Sequence, residues 1–390
     1  MNRSRFLFFL SSVALLVPIV SGTLAGAVSG DGEEDSLYRH LSVFSEVLSL
    51  VRRSYVDETS LDQLFGGAMD GSTDALDPLA TYVPAEAADE FSRTLRVGSR
   101  RSGLHLIRER GIAYVLSATP DSPAAAAGLK TGDILAKVGE QGTRQMPLWM
   151  LLGKFADAPG AEIEIEVLRR GQAHRMTVTL ADFDPPAPAL ERKEGVPVLR
   201  LATLAAPTVP VVAAALDQIR GEAAEELIVD LRGVSGGEPE AAYAIGDLFA
   251  DGDLGALLSR GRLLSSFAGT PGRAWEGRRL LVLTDRGTQG ASEVLAAILV
   301  QAAGGELIGE RTFGHAGRQS LVGLSTGAQV YLTDAFYTGP NREVLDHALE
   351  PAVQVSQSGP PGGLPVADPV LDRALDLLES DGEAAERDAA

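Results

Sequence analysis

Residues 226–237 read Glu226-Leu227-Ile228-Val229-Asp230-Leu231-Arg232-Gly233-Val234-Ser235-Gly236-Gly237. A short apolar run that closes on a glycine turn has the pattern of a buried strand. The segments around it alternate in type. Strands are predicted over 196–201, 226–231 and 279–284, with a late strand over 329–337. Helices are predicted over 209–220, 238–249 and 291–303. Strand–helix alternation of this kind argues for an α/β layer. Three prolines within residues 184–189 make a stiff linker ahead of it, and hence a domain boundary.

Upstream of that linker the pattern changes. Residues 103–106 and 112–116 are short strand candidates, and 122–128 is an alanine-rich helical turn opened by Pro123. Residues 128–135 run from a turn into a strand, and 146–156 reads as a helix. Residues 163–167 and 175–180 alternate with period two around Arg170-Gly171, as in a half-buried hairpin. Still earlier, Leu41, Phe44, Val47, Leu48 and Val51 recur at helical spacing. A second helix covers 61–71 and is stopped by Leu76-Asp77-Pro78, and a third covers 86–94. Beyond the α/β layer lies a Gly/Pro-rich loop over 360–365. A helix over 368–378 follows, with Asp368 as N-cap and Pro369 at its first position. The polar residues after it are expected to be disordered.

The chain has 390 residues, 45% apolar and 22% charged, enough for two or three domains with real cores. A net charge of -19 argues against nucleic acid as a partner, because backbone binding needs clustered Lys and Arg. The absence of cysteine excludes disulfides, thiolate metal sites, a cysteine nucleophile and lipid attachment through cysteine. Arg3 and Arg5 precede an apolar run over 6–20, and Ala25-Gly26-Ala27 reads as a small-x-small cleavage site. Residues 1–27 are therefore a secretory signal or, since 6–28 could just span a bilayer, a membrane anchor. Either way the remainder lies outside the cytoplasm, in the periplasm or cell envelope.

Several blocks of residues stand together in one order: Tyr55-Val56, Gly67-Ala68-Met69 and Leu76-Asp77-Pro78; Ser122-Pro123-Ala124, Ala127-Gly128-Leu129 and Gly132-Asp133; residues 227–232 with Gly236-Gly237; Ala291-Ser292-Glu293, Gly309-Glu310, Thr312-Phe313-Gly314, Thr338, Arg342 and Glu350-Pro351. In this order they resemble the carboxyl-terminal processing (tail-specific) serine protease family. The resemblance implies a multidomain α+β and α/β fold: a helical arm (37–97), a PDZ-like β module (98–183), the linker (184–189), and an α/β protease core of the tail-specific, ClpP/crotonase-like type (190–356). A C-terminal loop, helix and tail (357–390) follow. A PDZ module adds an extended peptide to a sheet edge, and the matching segment is Gly103-Leu104-His105-Leu106. The implied partners are protein C-terminal tails, with no cofactor and no metal. His40, His174 and His347 lack paired ligand spacing, and Trp149 and Trp275 read as packing residues.

The family resembled here uses a serine nucleophile, a lysine base 25 residues later and a glutamine four residues beyond. Counted from Ser292-Glu293, those positions are Gly290, His315 and Gln319. Glycine has no side chain with which to form an acyl intermediate, although histidine could serve as a base near neutral pH. The backbone amides of Gly237 and Ala291 are implied as the oxyanion donors. Gly233-Val234-Ser235 departs from the family's Asn-Asn-Pro run. Two readings follow. One is a binding protein for C-terminal tails, impaired in catalysis by Gly290 and His315. The alternative is an endopeptidase with a rearranged site, using Ser292 or Ser235 with His315. The first expects no hydroxyl beside Gly290; the second needs a serine oxygen within about 3 Å of a histidine nitrogen.

Overall fold

The computed structural model describes residues 31–222, 224–272, 275, 277–357 and 368–389. The expected signal or anchor, and the loop over 360–365, lie outside them. The chain divides into two units, Met1–Met69 and Asp70–Ala390. In the first, helix α1 (Asp31–Ser54) carries Leu41, Val43, Val47 and Leu50, each more than half exposed. Helix α2 (Leu61–Asp74) begins there and ends in the second unit. No helix among the described residues is long and apolar enough to cross a membrane.

The second unit continues with β1 (Thr81–Val83) and α3 (Ala88–Val97). A β-rich module follows: β2 (Leu104–Glu109), β3 (Ile112–Ala118), the one-turn helix α4 (Pro123–Ala126), β4 (Ile134–Val138), β5 (Gln141–Gly142), α5 (Leu148–Lys154), β6 (Glu162–Arg169) and β7 (Gln172–Thr179). Its antiparallel sheet has the order β2-β3-β4-β6-β7, with β5 beside β4. The period-two hairpin expected from the sequence is β6–β7, and Ile165, Val167 and Val178 are its buried members. These pack with Leu106, Val115, Leu135 and Leu151 into a separate core.

The α/β layer begins with β8 (Ala189–Lys193), β9 (Val196–Arg200), α6 (Thr208–Gly221), β10 (Glu226–Asp230) and α7 (Pro239–Gly246). It continues through β11 (Gly252–Ser259), β12 (Arg262–Gly269), β13 (Arg279–Thr284), α8 (Ala291–Gln301) and β14 (Glu306–Gly309). The remaining elements are β15 (Gly317–Gly323), β16 (Gln329–Tyr337), β17 (Val353–Gln354) and α9 (Pro369–Ala389). One sheet has the order β17-β14-β13-β10-β9-β8, parallel except for β8 at its edge. Side chains alternate across it. Leu227, Val229 and Leu231 face a core shared with α6, α7 and α8, whereas Ile228, Leu281 and Ile308 face α9. Burial on both faces explains the unbroken apolar run of β10. In α8, nine consecutive residues from Ala291 to Leu299 are buried, as an all-round apolar helix requires.

A third, antiparallel sheet has the order β1-β16-β11-β12, with β15 beside β16. Of its strands only β16 was expected. The others are short, or carry glycine and polar residues that blur the period-two signal. The helix after Asp368 starts as expected, with Asp368 Oδ1 accepting from Leu371 N at 3.1 Å. It then runs on to Ala389, where a disordered tail was expected.

This topology gathers three loops at the C-terminal ends of adjacent parallel strands: 231–238 after β10, 285–290 after β13 and 310–316 after β14. That rim is where open α/β sheets place their ligand crevices.

Candidate functional site

Gly290 is the N-cap of α8, with φ 71° and ψ -116°. Non-glycine residues hold such a conformation only at a cost. Space is not the obstacle, since a Cβ built there would come no nearer than 3.7 Å, to Gly236 O. Glu293, three residues on, reaches back to the N-cap amide in the manner of a capping box. Its carboxylate is fully buried and accepts four hydrogen bonds. Oε2 takes Gly290 N (3.0 Å) and His315 N (2.9 Å), and Oε1 takes Thr312 Oγ1 (2.6 Å) and Gly314 N. Burial raises the pKa of Glu293 above the ordinary carboxylate range, and these four donors oppose that rise. A second tie is Gln289, whose amide accepts from Gly236 N (3.1 Å) and donates to His315 O (2.8 Å). Together the two side chains lock the three loops to one another.

Gly290, Gln319, Gly237 and Ala291 all line one cavity of about 590 Å³. The backbone at Gly237 is held close, because an added Cβ would lie 2.7 Å from Leu204 O and 3.4 Å from Ala291 Cβ. With φ 86° as well, only glycine fits there. Neither Gly237 N nor Ala291 N has a hydrogen-bond partner among the described residues.

His315 is buried, and its ring is turned to the neighbouring sheet. Nε2 lies 2.9 Å from Thr333 Oγ1, 3.3 Å from Gln319 Nε2 and 4.0 Å from Asp77 Oδ1. Thr333 Oγ1 in turn donates to Gln319 Oε1 at 3.1 Å. A proton on Nε2 given to Thr333 completes that chain. Burial lowers the His315 pKa below the ordinary histidine range, against the pull of Asp77 and Asp346. Thr333 and Asp77 approach the same ring nitrogen, so they do not form a relay of the nucleophile–histidine–carboxylate kind, which uses both nitrogens.

The two serines named as alternative nucleophiles both make hydrogen bonds to their surroundings. Ser292 is fully buried, and its hydroxyl donates to Val234 O (2.6 Å) and Gln289 O (3.1 Å). Two helical positions turn it about 200° from Gly290, towards the glycine turn. Ser235 donates to Gly287 O and accepts from Ser117 Oγ, each at 2.7 Å. No serine oxygen is hydrogen-bonded to His315 among the described residues. Asp230 and Arg232 make structural contacts. Arg232 pairs with Asp230 and with Asp368 at the start of α9, and its pKa is raised by those partners despite burial.

Gly103 to Leu106 lead into β2, the edge strand of its sheet, and His105 lines the cavity beside Gly236. Burial pushes its pKa down to about 4. That position was not foreseen: strand periodicity shows which face His105 takes, not which loop packs against it. Asp77, Gln289 and Thr333 were likewise missed as neighbours of the site. Asp77 reaches His315 because β1 pairs with β16, Thr81 opposite Tyr331. The glutamate of the Ser-Glu pair was quotable as a motif, yet its fourfold role needs the loop over 312–315. Among the described residues, no three His, Cys, Asp or Glu side chains gather as metal ligands.

Residues 195–355 match the model of peptidase family S41. Curated relatives include a carboxy-terminal-processing protease of Bartonella bacilliformis, 24% identical over 91% of this chain and 83% of its own length. Another is a carboxyl-terminal-processing protease of Synechocystis, 29% identical over 68% of this chain and 64% of that protein. Among solved structures, a photosystem II D1 C-terminal processing protease superposes with a TM-score of 0.64 at 23% identity, covering 80% of this chain and 92% of that one, which speaks for the fold. The core at residues 195–355 is thus that of peptidase family S41, and across most of its length the chain is similar to carboxyl-terminal processing serine proteases.

Proposed function

We propose that this chain is an exported, tail-binding member of the family that does not cut. The β2–β7 module acts as a PDZ domain, and the core keeps a cleft whose Ser-Lys pair is replaced by Gly290 and His315. The observation that carries this reading is the commitment of the nearby hydroxyls. Gly290 offers no oxygen, and Ser292 and Ser235 donate to backbone carbonyls. Acyl transfer needs an activated nucleophile with a base in reach. Here Nε2 of His315 is directed to Thr333, and no serine oxygen is hydrogen-bonded to the ring among the described residues. The N-terminal charged, apolar and small-residue order supports export, and the relatives' processing of C-terminal regions supports tails as the ligand class.

The test uses protein lacking its first 27 residues, incubated with an unstructured substrate that ends in an apolar tail. A Gly290→Ser/His315→Lys variant is run beside it. The expected outcome is an inert native protein that nevertheless retains the substrate on a column, with cleavage appearing in the variant. Cleavage by the native protein that Ser292→Ala or Ser235→Ala abolishes would overturn the reading.

A further inference from the structure

A PDZ module ordinarily takes a terminal carboxylate on the amides of the loop before its edge strand. In this chain two of those amides are already engaged. Gly103 N donates to Ser99 O at 2.6 Å, and Leu104 N donates to Ser102 Oγ at 3.2 Å. The same cavity has open donors on its other wall. Gly237 N and Ala291 N have no hydrogen-bond partner among the described residues, and the second stands at the start of an 11-residue helix whose dipole favours an anion. His105 stands beside them. A Cβ built on Gly236 would lie 3.3 Å from its Cε1 and 3.6 Å from its Nδ1. Neither ring nitrogen has a hydrogen-bond partner among the described residues.

The charge pattern agrees. In a chain of net charge -19, no carboxylate lines this cavity among the described residues; its single charged lining residue is Arg318, which is paired with Asp334 at 2.8 and 2.9 Å. Part of the wall is apolar: Leu104, Leu148, Leu152 and Phe155, from β2, α5 and the residue after it. The cavity thus pairs anion donors at one end with a hydrophobic surface contributed by the β-rich module.

Resting on the tail-binding reading above, we propose that the cleft at Gly290 is a carboxylate receptor. It holds the free C-terminal carboxylate of an apolar protein tail on the amides of Gly237 and Ala291 and the ring N–H of His105. The last side chains of the tail lie on the Leu104–Phe155 wall. Loss of the nucleophile is what makes room, since the oxyanion donors no longer face a serine-bound carbonyl. The ligand class is therefore a mature chain end, and an internal peptide segment would lack the anion that the donors recognise.

The test compares two fluorescein-labelled decapeptides ending in Ala-Leu-Val, one with a free carboxylate and one amidated, by anisotropy on the purified chain. The carboxylate form is expected to bind at least tenfold tighter. His105→Ala and Ala291→Pro are each expected to bring that ratio below threefold while changing the affinity of the amide by less than twofold. Proline is tolerated at the first helical position and removes only the N–H. Ala291→Gly, which keeps that N–H, retains the full ratio, and His105→Ala carries the test if the proline variant is poorly folded. A ratio unchanged in these variants overturns the proposal and leaves tail binding standing, with the carboxylate read elsewhere. If neither peptide binds the native chain, tail binding itself fails.

Discussion

Lowering the pH should weaken this fold through one side chain on the cavity wall. His105 is held at about 4 by burial, whereas an unfolded chain protonates histidine near 6.5. Its folded pKa is depressed, so it imposes no penalty above pH 6.5. As the pH falls below that value, the unfolded chain takes up the proton and the folded one does not. Stability is therefore lost progressively and levels off once the pH is below about 4. The linkage relation puts the loss at about 1.4 kcal/mol at pH 5.5 and about 3 kcal/mol at pH 4. Because the ring keeps partial contact with the cavity, about half of this is a fair lower bound. Buried carboxyl groups such as Glu293, whose folded pKa is raised, act in the opposite sense over the same range. The informative quantity is thus a difference. Urea denaturation of the native chain and of His105→Gln at pH 7, 5.5 and 4 should show the variant gaining about 1.5–3 kcal/mol relative to native across that interval. A gap between the two proteins that does not move with pH would refute the reasoning.

Gly290→Ser and Gly290→Ala should each lose about 1–2 kcal/mol, as backbone strain outweighs the reduced freedom of the unfolded chain. The two should agree within about 0.5 kcal/mol, because an added Cβ meets no clash and the strain lies in the backbone; a stabilised variant in urea titration contradicts the backbone reading. Glu293→Gln should lose about 3–5 kcal/mol, since its amide end must face donors that the carboxylate accepts, and a loss under about 1 kcal/mol would mean that Glu293 does not tie the loops. Asp368→Ala removes both an N-cap and a partner of Arg232, for about 1–3 kcal/mol. Hydrogen exchange should then rise first in α9, and unchanged protection there counts against the contact.

Much was determined by local pattern. The apolar run of residues 226–231, the period-two hairpin around Arg170-Gly171, and Asp368-Pro369 at a helix start each carry their instruction within a few residues, because periodicity, turn chemistry and capping act at short range. The family resemblance, counted from Ser292-Glu293, pointed to Gly290, His315 and Gln319 without any coordinates. What only the tertiary structure decided is which groups those residues meet. Asp77 reaches His315 because β1 pairs with β16, 250 residues away in sequence from Thr81 to Tyr331. Thr333 takes the ring nitrogen that a base would need, and Glu293 holds three loops with one carboxylate. His105 stays in the edge strand β2, and its side chain meets the glycine turn at Gly236. Hydrogen bonds and burial depend on distances of a few ångströms between segments remote in sequence, and no local pattern encodes those distances.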